Sequence, residues 1–440
     1  MLLDIIQKNN KFEEIYSKLI KDGQIVHGLT NSAKSLILAN MLKKSTTPLV
    51  FIVANHHEAH TYYQEIQNLS ERPVYNFLCQ EVSPYDQINS DIGVINSQYQ
   101  IFESWSNNEI SLTVMNIKAL SQLYINKQQL EENSFFINKD TEVDPSKLAT
   151  KLTLLGYSNE AMVEGRGQFS QRGDITDIYP IIGEAVRIEF FGDNIESIKE
   201  LNSSTQRSNK SLDFTQINPR YSIIRTEDDG LNDKVKELVS KHKIDDLTEL
   251  DSLYFEGIEY YRSVLNQVPS NLFDYIPSHS HVVFDEWQDL SHLGEQWDTN
   301  LNEQYNEAIK SNALIPLEKP LHLAHKQLVK NSTEFKRKLY LQTLTEAIDG
   351  VFEEGKELSY ELRSFPTERF ASKVEEFVEY IRRKLRDQQN IIIFSEQPNR
   401  VLNILREWDI TGLYQGDIEN IDVEQIVKEQ ELNNKRVIVQ

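Results

Sequence analysis

An apolar strand, a glycine turn and a helix follow one another in QIVHGLTNSAKSLILANML, residues 24–42. The turn is Gly28-Leu29-Thr30-Asn31-Ser32-Ala33-Lys34-Ser35, which has the length and the Lys-Ser ending of a phosphate-binding loop. Such loops lie between a buried strand and a helix N-terminus, where backbone amides can meet phosphate oxygens. This stretch predicts a parallel α/β sheet of the nucleotide-binding type.

One position of this loop departs from the working pattern, because Ala33 stands where a phosphate-binding loop needs glycine. The backbone folds closely around phosphate oxygens there, often at positive φ, so a methyl group crowds the phosphate or the turn. Two interpretations stay open: weak ATP binding through Lys34 and Ser35, or a relic loop that is kept for packing. In either case Gly28, Ala33, Lys34 and Ser35 form a degenerate nucleotide loop.

A second nucleotide-type signal is the apolar strand at residues 281–284, which ends in Asp285-Glu286. In a Walker B segment one such carboxylate holds Mg²⁺ and the next polarises water. Carboxylates at the end of a buried strand are also common surface features, and that alternative stays open. Helicase-type motors need arginine fingers from a second motor domain. Nothing in the sequence resembles those motifs, so no catalytic residue is predicted.

The organisation of the chain follows from its apolar spacing. The first part alternates helices, among them an amphipathic one around Phe12, with buried strands. In the second part the spacing falls to two and glycine turns recur, which predicts a small α+β domain. The third part returns to helices and the strand at 281–284, which is predicted to rejoin the first sheet. The last part predicts a further α/β unit, and the sequence ends inside its final strand, which suggests a piece of a longer protein. The four predicted domains are residues 1–125, 126–212, 213–350 and 351–440.

Composition narrows the class of protein. Lys and Arg number 46 against 68 Asp and Glu, and the net charge of -22 opposes tight binding of the chain as a whole to nucleic acid. The apolar runs are far shorter than the roughly 20 residues that cross a bilayer, so no membrane partner is predicted. Cys79 is the single cysteine, which excludes an internal disulfide, and no signal peptide is visible. A cytoplasmic location is expected.

The most informative stretch is EGRGQFSQRGDITDIYP, residues 164–180. It continues through VRIEFFGDNIESI at residues 186–198 and ends at TQRS, residues 205–208. This run resembles the domain with which UvrB and the transcription-repair coupling factors dock onto UvrA. Shorter stretches agree with it: residues 257–261 and 272–277 look like the returning half of the UvrB-type first domain, and residues 83–86 like its coupling-factor version.

Two departures from UvrB favour the coupling factors. UvrB has an intact loop and a β-hairpin that clamps damaged DNA, whereas here Ala33 breaks the loop and residues 85–99 run directly into a helix. The chain therefore resembles the amino-terminal, UvrB-like region of that family. The resemblance implies an α/β fold class: a degenerate P-loop, helicase-like parallel sheet with an inserted small α+β UvrA-docking domain, followed by a further α/β domain.

Arginines and aromatic residues of the docking domain are the predicted contacts with UvrA, because such residues dominate interface energetics. Arg172 matches an arginine with which UvrB-type domains meet carboxylates of UvrA. Ser170 and Asn159 fall where UvrB has further arginines, so fewer charged contacts are expected. The alternative is that Phe169 and Phe190 belong to the core and that the arginines are solvated. The predicted UvrA-binding residues are Arg166, Phe169, Ser170, Arg172, Arg187 and Phe191.

The resemblance also implies a function, that of an adaptor in transcription-coupled nucleotide-excision repair which recruits UvrA to RNA polymerase stalled at DNA lesions. The full-length parent would be an ATP-dependent DNA translocase that meets polymerase and DNA through carboxy-terminal parts, and ATP and Mg²⁺ would belong to its motor. No cofactor and no metal site is predicted in these 440 residues. The alternatives are a UvrB-type, ATP-dependent DNA-damage-binding subunit of the excision nuclease, or a structural spacer.

Overall fold

A computed structural model describes residues 24–30, 32–86, 88–242, 252–344 and 358–362, most of 364–414, and 437–439. The helix predicted around Phe12 lies outside these residues. The chain divides into two units, a larger one within residues 21–28 and 41–362 and a smaller one within residues 29–40 and 363–440.

Strands and helices alternate through most of the described residues. The strands are β1 (Gln24–His27), β2 (Leu49–Val53), β3 (Val74–Phe77), β4 (Leu112–Asn116), β5 (Phe135–Asn138), β6 (Ser158–Asn159), β7 (Gln168–Arg172), β8 (Ile175–Tyr179), β9 (Val186–Phe191), β10 (Asn194–Asn202), β11 (Arg207–Ser211), β12 (Phe214–Ile217), β13 (His281–Asp285), β14 (Lys338–Leu341), β15 (Leu358–Glu361), β16 (Ile391–Ile393), β17 (Gly412–Tyr414) and β18 (Val437–Val439). The helices are α1 (Ser32–Lys44), α2 (His56–Leu69), α3 (Ile92–Ser106), α4 (Ile117–Ser121), α5 (Lys127–Asn133), α6 (Pro145–Leu154), α7 (Leu231–His242), α8 (Leu272–Tyr275), α9 (Trp287–Lys310), α10 (His325–Glu334), α11 (Val374–Arg386) and α12 (Pro398–Glu407).

A parallel sheet of seven described strands forms the centre of the larger unit, in the order β15-β1-β14-β13-β2-β4-β3. Every residue of β2 and β4 is buried, as expected for strands of a parallel sheet that is covered on both faces. The parallel pairing of β13 with β2 confirms that the strand predicted at residues 281–284 rejoins the first sheet.

Polar side chains fix where the helices of this unit begin. Asn55 caps α2 by accepting from the backbone of Glu58, and Asp91 caps α3 by accepting from Gly93 and Val94. Helix α3 follows a segment, residues 78–91, whose described positions contain no strand. The absence of a β-hairpin ahead of α3 therefore agrees with the sequence-based expectation for the residues that the structure describes.

Two helical segments differ from their predictions. In the third predicted domain the sequence favours a helix over residues 256–265, and the structure has a 3₁₀ helix there, Ile258–Leu265, bounded by left-handed conformations at Gly257 and Asn266. Helix α9 has 24 residues and was not predicted. Its apolar positions are few, and Trp287, Leu290, Gly294 and Leu301 are the buried ones.

A second, smaller sheet lies between β4 and β13 in the sequence, in the order β11-β10-β9-β8-β7-β6. Its strands pair in antiparallel fashion except β6 with β7. Leu148 and Leu152 of α6 join Phe169, Ile178 and Ile188 of this sheet in one apolar core. Strands β5 and β12 form a separate antiparallel pair beside it. The predicted small α+β insertion is thus confirmed.

The smaller unit contains a three-stranded parallel sheet in the order β16-β18-β17. Val378 and Ile381 of α11 and Leu405 of α12 share an apolar cluster with Val437 of β18. These elements confirm the further α/β unit that the sequence predicted, and β17 is a strand that was not predicted.

Candidate functional site

Three neighbouring strands of the antiparallel sheet alternate between a core side and an outer side. Strand β9 buries Val186, Ile188 and Phe190, and the residues between them point the other way. The register places Asp177 of β8 opposite Arg187 of β9 and opposite Ser170 of β7. Polar side chains of adjacent strands therefore meet on the outer side of the sheet.

A buried carboxylate organises this outer side. The side chain of Asp177 is 0% exposed, and Arg187 binds it through two hydrogen bonds, Nε to Oδ1 at 2.7 Å and Nη2 to Oδ2 at 2.8 Å. Arg172 donates from Nη2 to Oδ2 of the same carboxylate at 2.9 Å. The hydrogen bonds to Asp177 raise the pKa of Arg187 above its ordinary value. Bidentate geometry and burial make Arg187 the inner partner, whereas the Arg172 side chain is 52% exposed.

A second ion pair lies on the next strand. Lys199 of β10 donates to Glu189 of β9 at 2.8 Å, and the hydroxyl of Ser197 donates to the same carboxylate oxygen at 2.6 Å. The hydrogen bond from Lys199, with that from Ser197, lowers the pKa of Glu189. Phe191 at the end of β9 is 77% exposed. We refer to Arg172, Asp177, Arg187, Glu189, Phe191 and Lys199 together as the open face.

The remaining predicted contact residues lie elsewhere in the domain. Arg166 donates to the carbonyl oxygens of Pro180, Ile181 and Gly183 at 2.5–3.2 Å, so its guanidinium fixes the turn after β8. Phe169 is 1% exposed and belongs to the core.

Ser170 is also buried, and its hydroxyl donates to the carbonyl oxygen of Ala161 at 3.1 Å. Phe190 is buried as well, whereas Asn159 is exposed. Of the predicted contact residues, Arg172 and Phe191 are thus the two that are exposed, and Arg187 lies partly open beside them.

The sequence analysis missed Asp177, Glu189 and Lys199. Asp177 lies two residues from Ile175 and from Tyr179, so the three side chains share one side of β8, and that spacing predicts a strand without showing that the carboxylate is buried. The signal that could have identified it is Arg187, which antiparallel pairing places opposite Asp177 on β9, with Arg172 two residues from the opposite position on β7. That inference needs the register, which β-hairpin lengths alone would have had to supply.

The nucleotide-type loop has local geometry of its own. Gly28 has φ +79°, a left-handed conformation that favours glycine. The backbone amide of Thr30 donates to the hydroxyl of Ser364 at 2.8 Å, and the amide of Ala33 donates to the carbonyl oxygen of Thr30 at 3.0 Å. Lys34 is 3% exposed and Ser35 is fully buried. Two amides of the loop are thus engaged by the chain itself.

The two acidic residues after the β13 apolar run also have partners. Asp285 is buried and accepts from the hydroxyl of Tyr62 at 3.2 Å. Burial, with the charge of Asp285, raises the pKa of Tyr62 well above its ordinary value.

Glu286 has φ +47° and accepts from the amide and the hydroxyl of Thr343 at 2.8 and 2.6 Å. Its Oε1 is the acceptor in both hydrogen bonds. The carboxylates of Asp285 and Glu286 therefore both accept hydrogen bonds from other groups of this chain.

The family model described as the UvrB interaction domain matches residues 135–222, from the start of β5 to just beyond β12. These residues contain all of the open face. Residues 135–222 are thus similar to that domain. The predicted docking domain, residues 126–212, overlaps most of this match.

Curated relatives named transcription-repair-coupling factor match a larger part of the chain. The protein of Staphylococcus epidermidis is 24% identical over 71% of this chain and 28% of its own length. That of Bacillus subtilis is 27% identical over 66% of this chain and 27% of its own length. The sequence resemblance to this family is confirmed, and the chain spans about a quarter of the length of these relatives.

Solved helicase structures share little superposable structure with the chain. One titled XPD_Helicase has a TM-score of 0.28 and 10% identity, covering 98% of this chain and 80% of that one. The Hef helicase domain of Pyrococcus furiosus has a TM-score of 0.17 and 13% identity, covering 99% and 86%.

Among the residues that the structure describes, no helix combines the length and the apolar character that crossing a membrane requires.

Proposed function

We propose that this chain is a UvrA-recruiting adaptor region of a transcription-repair coupling factor, and that UvrA docks on the open face. The observation that carries the proposal is the match of the UvrB interaction domain to the residues that form this face. The relatives' name supports a role in coupling transcription to nucleotide-excision repair. In this proposal the chain acts as an adaptor in the cytoplasm. RNA polymerase and DNA would be met by parts of the relatives that this chain does not match.

The chemistry of the open face suits an acidic partner. Three basic side chains, Arg172, Arg187 and Lys199, stand against the two carboxylates of Asp177 and Glu189, a local excess of one positive charge in a chain of net charge -22. Arg172 spends one N–H on Asp177 in the described contacts, and an arginine fork can serve a second carboxylate with its other donors.

Phe191 supplies the apolar anchor of the proposed interface. An aromatic ring that is 77% exposed gains free energy when a partner covers it, and aromatic and arginine residues are the usual hot spots of interfaces. The ring and the Arg172 guanidinium lie on the same side of the sheet. Together they provide one apolar and one charged contact.

We also propose that the chain does not hydrolyse ATP. The methyl group of Ala33, the engaged amides of Thr30 and Ala33, and the hydrogen bonds that occupy Asp285 and Glu286 support this. ATP and Mg²⁺ would then serve only the motor of the longer relatives. ATP hydrolysis by this chain with UvrA and DNA present would instead favour a UvrB-type damage-binding enzyme.

The test is calorimetric titration of the chain with UvrA. Arg172→Glu is expected to weaken binding by about 2 to 5 kcal/mol, because like charges would face each other at a desolvated contact. Folding should persist, since Arg187 keeps both hydrogen bonds to Asp177. Lys210→Glu, on the exposed edge strand β11, is the matched charge reversal and should bind UvrA like the parent. An Arg172→Glu protein that binds within about threefold of the parent would place UvrA elsewhere.

A further inference from the structure

A cavity of about 120 Å³ lies within the larger unit. Aromatic rings form much of its wall: Tyr99 and Phe102 from α3, Tyr124, and Tyr260 from the 3₁₀ helix. One buried water needs only about 10–15 Å³ of such space, so this cavity has room for a small organic molecule. It is separate from the open face, since its lining contains no residue of β7–β10.

Three side chains of the lining carry hydrogen-bond donors that lack an acceptor in the part of the chain that the structure describes. They are the amide nitrogen of Gln80, Nε of Arg262 and the indole nitrogen of Trp297. Arg262 is 6% exposed, so its Nε cannot turn to bulk water. A buried donor without a partner keeps its full desolvation penalty. Because all three atoms are donors, the lining is complementary to acceptors.

The nearby carboxylate does not supply the missing acceptor. Glu259 accepts from the hydroxyl of Ser90 at 2.9 Å and from the amide of Ser222 at 2.7 Å, and the Ser222 hydroxyl is a third donor to it. Arg262 reaches this group only through Ser222, whose hydroxyl contacts Nη2.

Other polar groups of the lining are likewise engaged. His322 is held between the Tyr85 hydroxyl at 3.1 Å and the Asp298 carboxylate at 2.8 Å. The side-chain oxygen of Gln122 accepts from the backbone amide of Gln80 at 3.2 Å. Neither group is left over as an acceptor for the three donors, so their acceptors would come from water or from a molecule bound in the cavity.

We propose that this cavity binds a small aromatic molecule whose polar atoms are hydrogen-bond acceptors, an aromatic carboxylate being the best match. The ring would lie among Tyr99, Phe102 and Tyr124, and the carboxylate would accept from Arg262 or Trp297. A pocket with an apolar wall and a few placed polar groups is the usual form of a small-molecule site. Because it is separate from the open face, such a site is independent of UvrA docking.

The experiment uses benzoate as the probe and benzylammonium as its counterpart, which has the same ring but only donors. Titration of the whole chain, followed by NMR, is expected to show benzoate binding with a Kd of about 1 mM or tighter and much weaker binding of benzylammonium. Equal binding of the two probes, or no benzoate binding, would overturn the proposal.

Variants locate the probe. Trp297→Phe keeps the ring and removes one donor, so benzoate should bind about fivefold more weakly. Trp105→Phe is the matched control, because the indole nitrogen of Trp105 is equally buried and unpartnered but lies outside the cavity. Its benzoate affinity should equal that of the parent.

Arg262→Met should weaken benzoate more than Trp297→Phe does, since the lost donor is charged. If Arg262→Met fails to fold, the two tryptophan variants still decide the matter. Equal benzoate affinities for Trp297→Phe and Trp105→Phe would show that the cavity is not the site.

Discussion

The two large sheets of this chain differ in whether their charged side chains are covered. The parallel sheet has strands such as β2 and β4 that are buried throughout, and its acidic residue Asp285 is covered by Tyr62. The antiparallel sheet packs one side into the apolar core and carries ion pairs and Phe191 on the other. A parallel sheet needs cover on both faces, whereas an antiparallel sheet can leave one face to a partner. Recognition in this chain is therefore expected on the smaller sheet.

The two sheets also differ in how their polar groups are hydrogen-bonded. In the parallel sheet, groups of the kind that bind nucleotides are hydrogen-bonded to the chain itself, as Glu286 is to Thr343. In the antiparallel sheet, Arg172 donates to Asp177 and has a half-exposed side chain. A group whose bonds are complete contributes to stability, and one with donors to spare can contribute to binding.

The largest effect is expected from Arg187→Ala, which removes both hydrogen bonds of the bidentate pair. Asp177 is fully buried, and breaking a buried ion pair by removing one partner costs about 3 to 5 kcal/mol. Because Arg172 still donates to Asp177, we expect the free energy of unfolding to fall by about 3 kcal/mol. Urea denaturation of the variant and the parent measures this difference.

Arg172→Ala is the matched control for that measurement. Its side chain is 52% exposed, and exposed ion pairs contribute about 1 kcal/mol or less. Equal losses of stability for the two variants would show that the inner and outer arginines are not distinct. The assignment of Arg187 to stability and of Arg172 to recognition would then be wrong.

A smaller effect, on binding alone, is expected from Phe191→Ala. The ring is 77% exposed, so its removal should leave the unfolding free energy unchanged. If UvrA covers the ring, the variant should bind UvrA about 2 kcal/mol more weakly, as aromatic hot spots do. Calorimetry with UvrA, paired with urea denaturation, separates the two quantities. Loss of stability with unchanged affinity would make Phe191 part of the domain's own packing.

Much of the parallel sheet could be predicted from the sequence because its strands are short apolar runs between turn residues. Strands β14 and β15 could not, since Lys338–Leu341 and Leu358–Glu361 contain polar residues and acquire their place only by pairing with β1 and β13. The 3₁₀ helix was predicted as an ordinary helical segment. Its tighter turns are set by left-handed residues at both ends, which apolar periodicity does not report.

The site was less predictable than the fold. The predicted contacts include Arg172 and Phe191, which are exposed, but also Phe169 and Ser170, which are buried. Phe169 lies on the core side of β7, whereas Ser170 shares the outer side with Arg172 and is buried there opposite Asp177, and a sequence motif does not distinguish these cases. Asp177 was missed because its burial depends on Arg172 and Arg187, which lie on neighbouring strands and meet it only through the strand pairing.

A pH measurement distinguishes a side chain that is buried in its neutral form from one that is buried as an ion. Burial, with the nearby charge of Arg337, lowers the pKa of His281 in the parallel sheet from 6.5 to about 4. The unfolded chain therefore binds this proton more readily, so stability is complete above pH 6.5 and falls as pH decreases toward 4. Between pH 7 and pH 5 the contribution of His281 to the unfolding free energy should drop by about 1 to 2 kcal/mol.

His281→Gln should remove this part of the pH dependence, whereas His57→Gln, at an exposed position of α2, should keep it. Urea denaturation of the three proteins at both pH values gives the comparison. An unchanged pH dependence in His281→Gln would mean that the acid sensitivity arises elsewhere, in the ion pairs of the open face for example.

The smallest effect, none at all, is expected from Ala33→Gly. Glycine would remove the methyl group that crowds the loop. The Thr30 amide would still donate to Ser364. The sequence would still contain no motif that resembles the arginine fingers of a second motor domain. Neither ATP turnover nor UvrA affinity should rise above that of the parent. Phosphate release with UvrA and DNA present measures the first, with Lys34→Ala as the control that removes the ammonium group. ATP turnover in Ala33→Gly that disappears when Lys34 is also replaced would contradict this expectation. It would show that the methyl group of Ala33 alone prevents the loop from binding nucleotide productively. The parallel sheet would then be a functional region in addition to the open face.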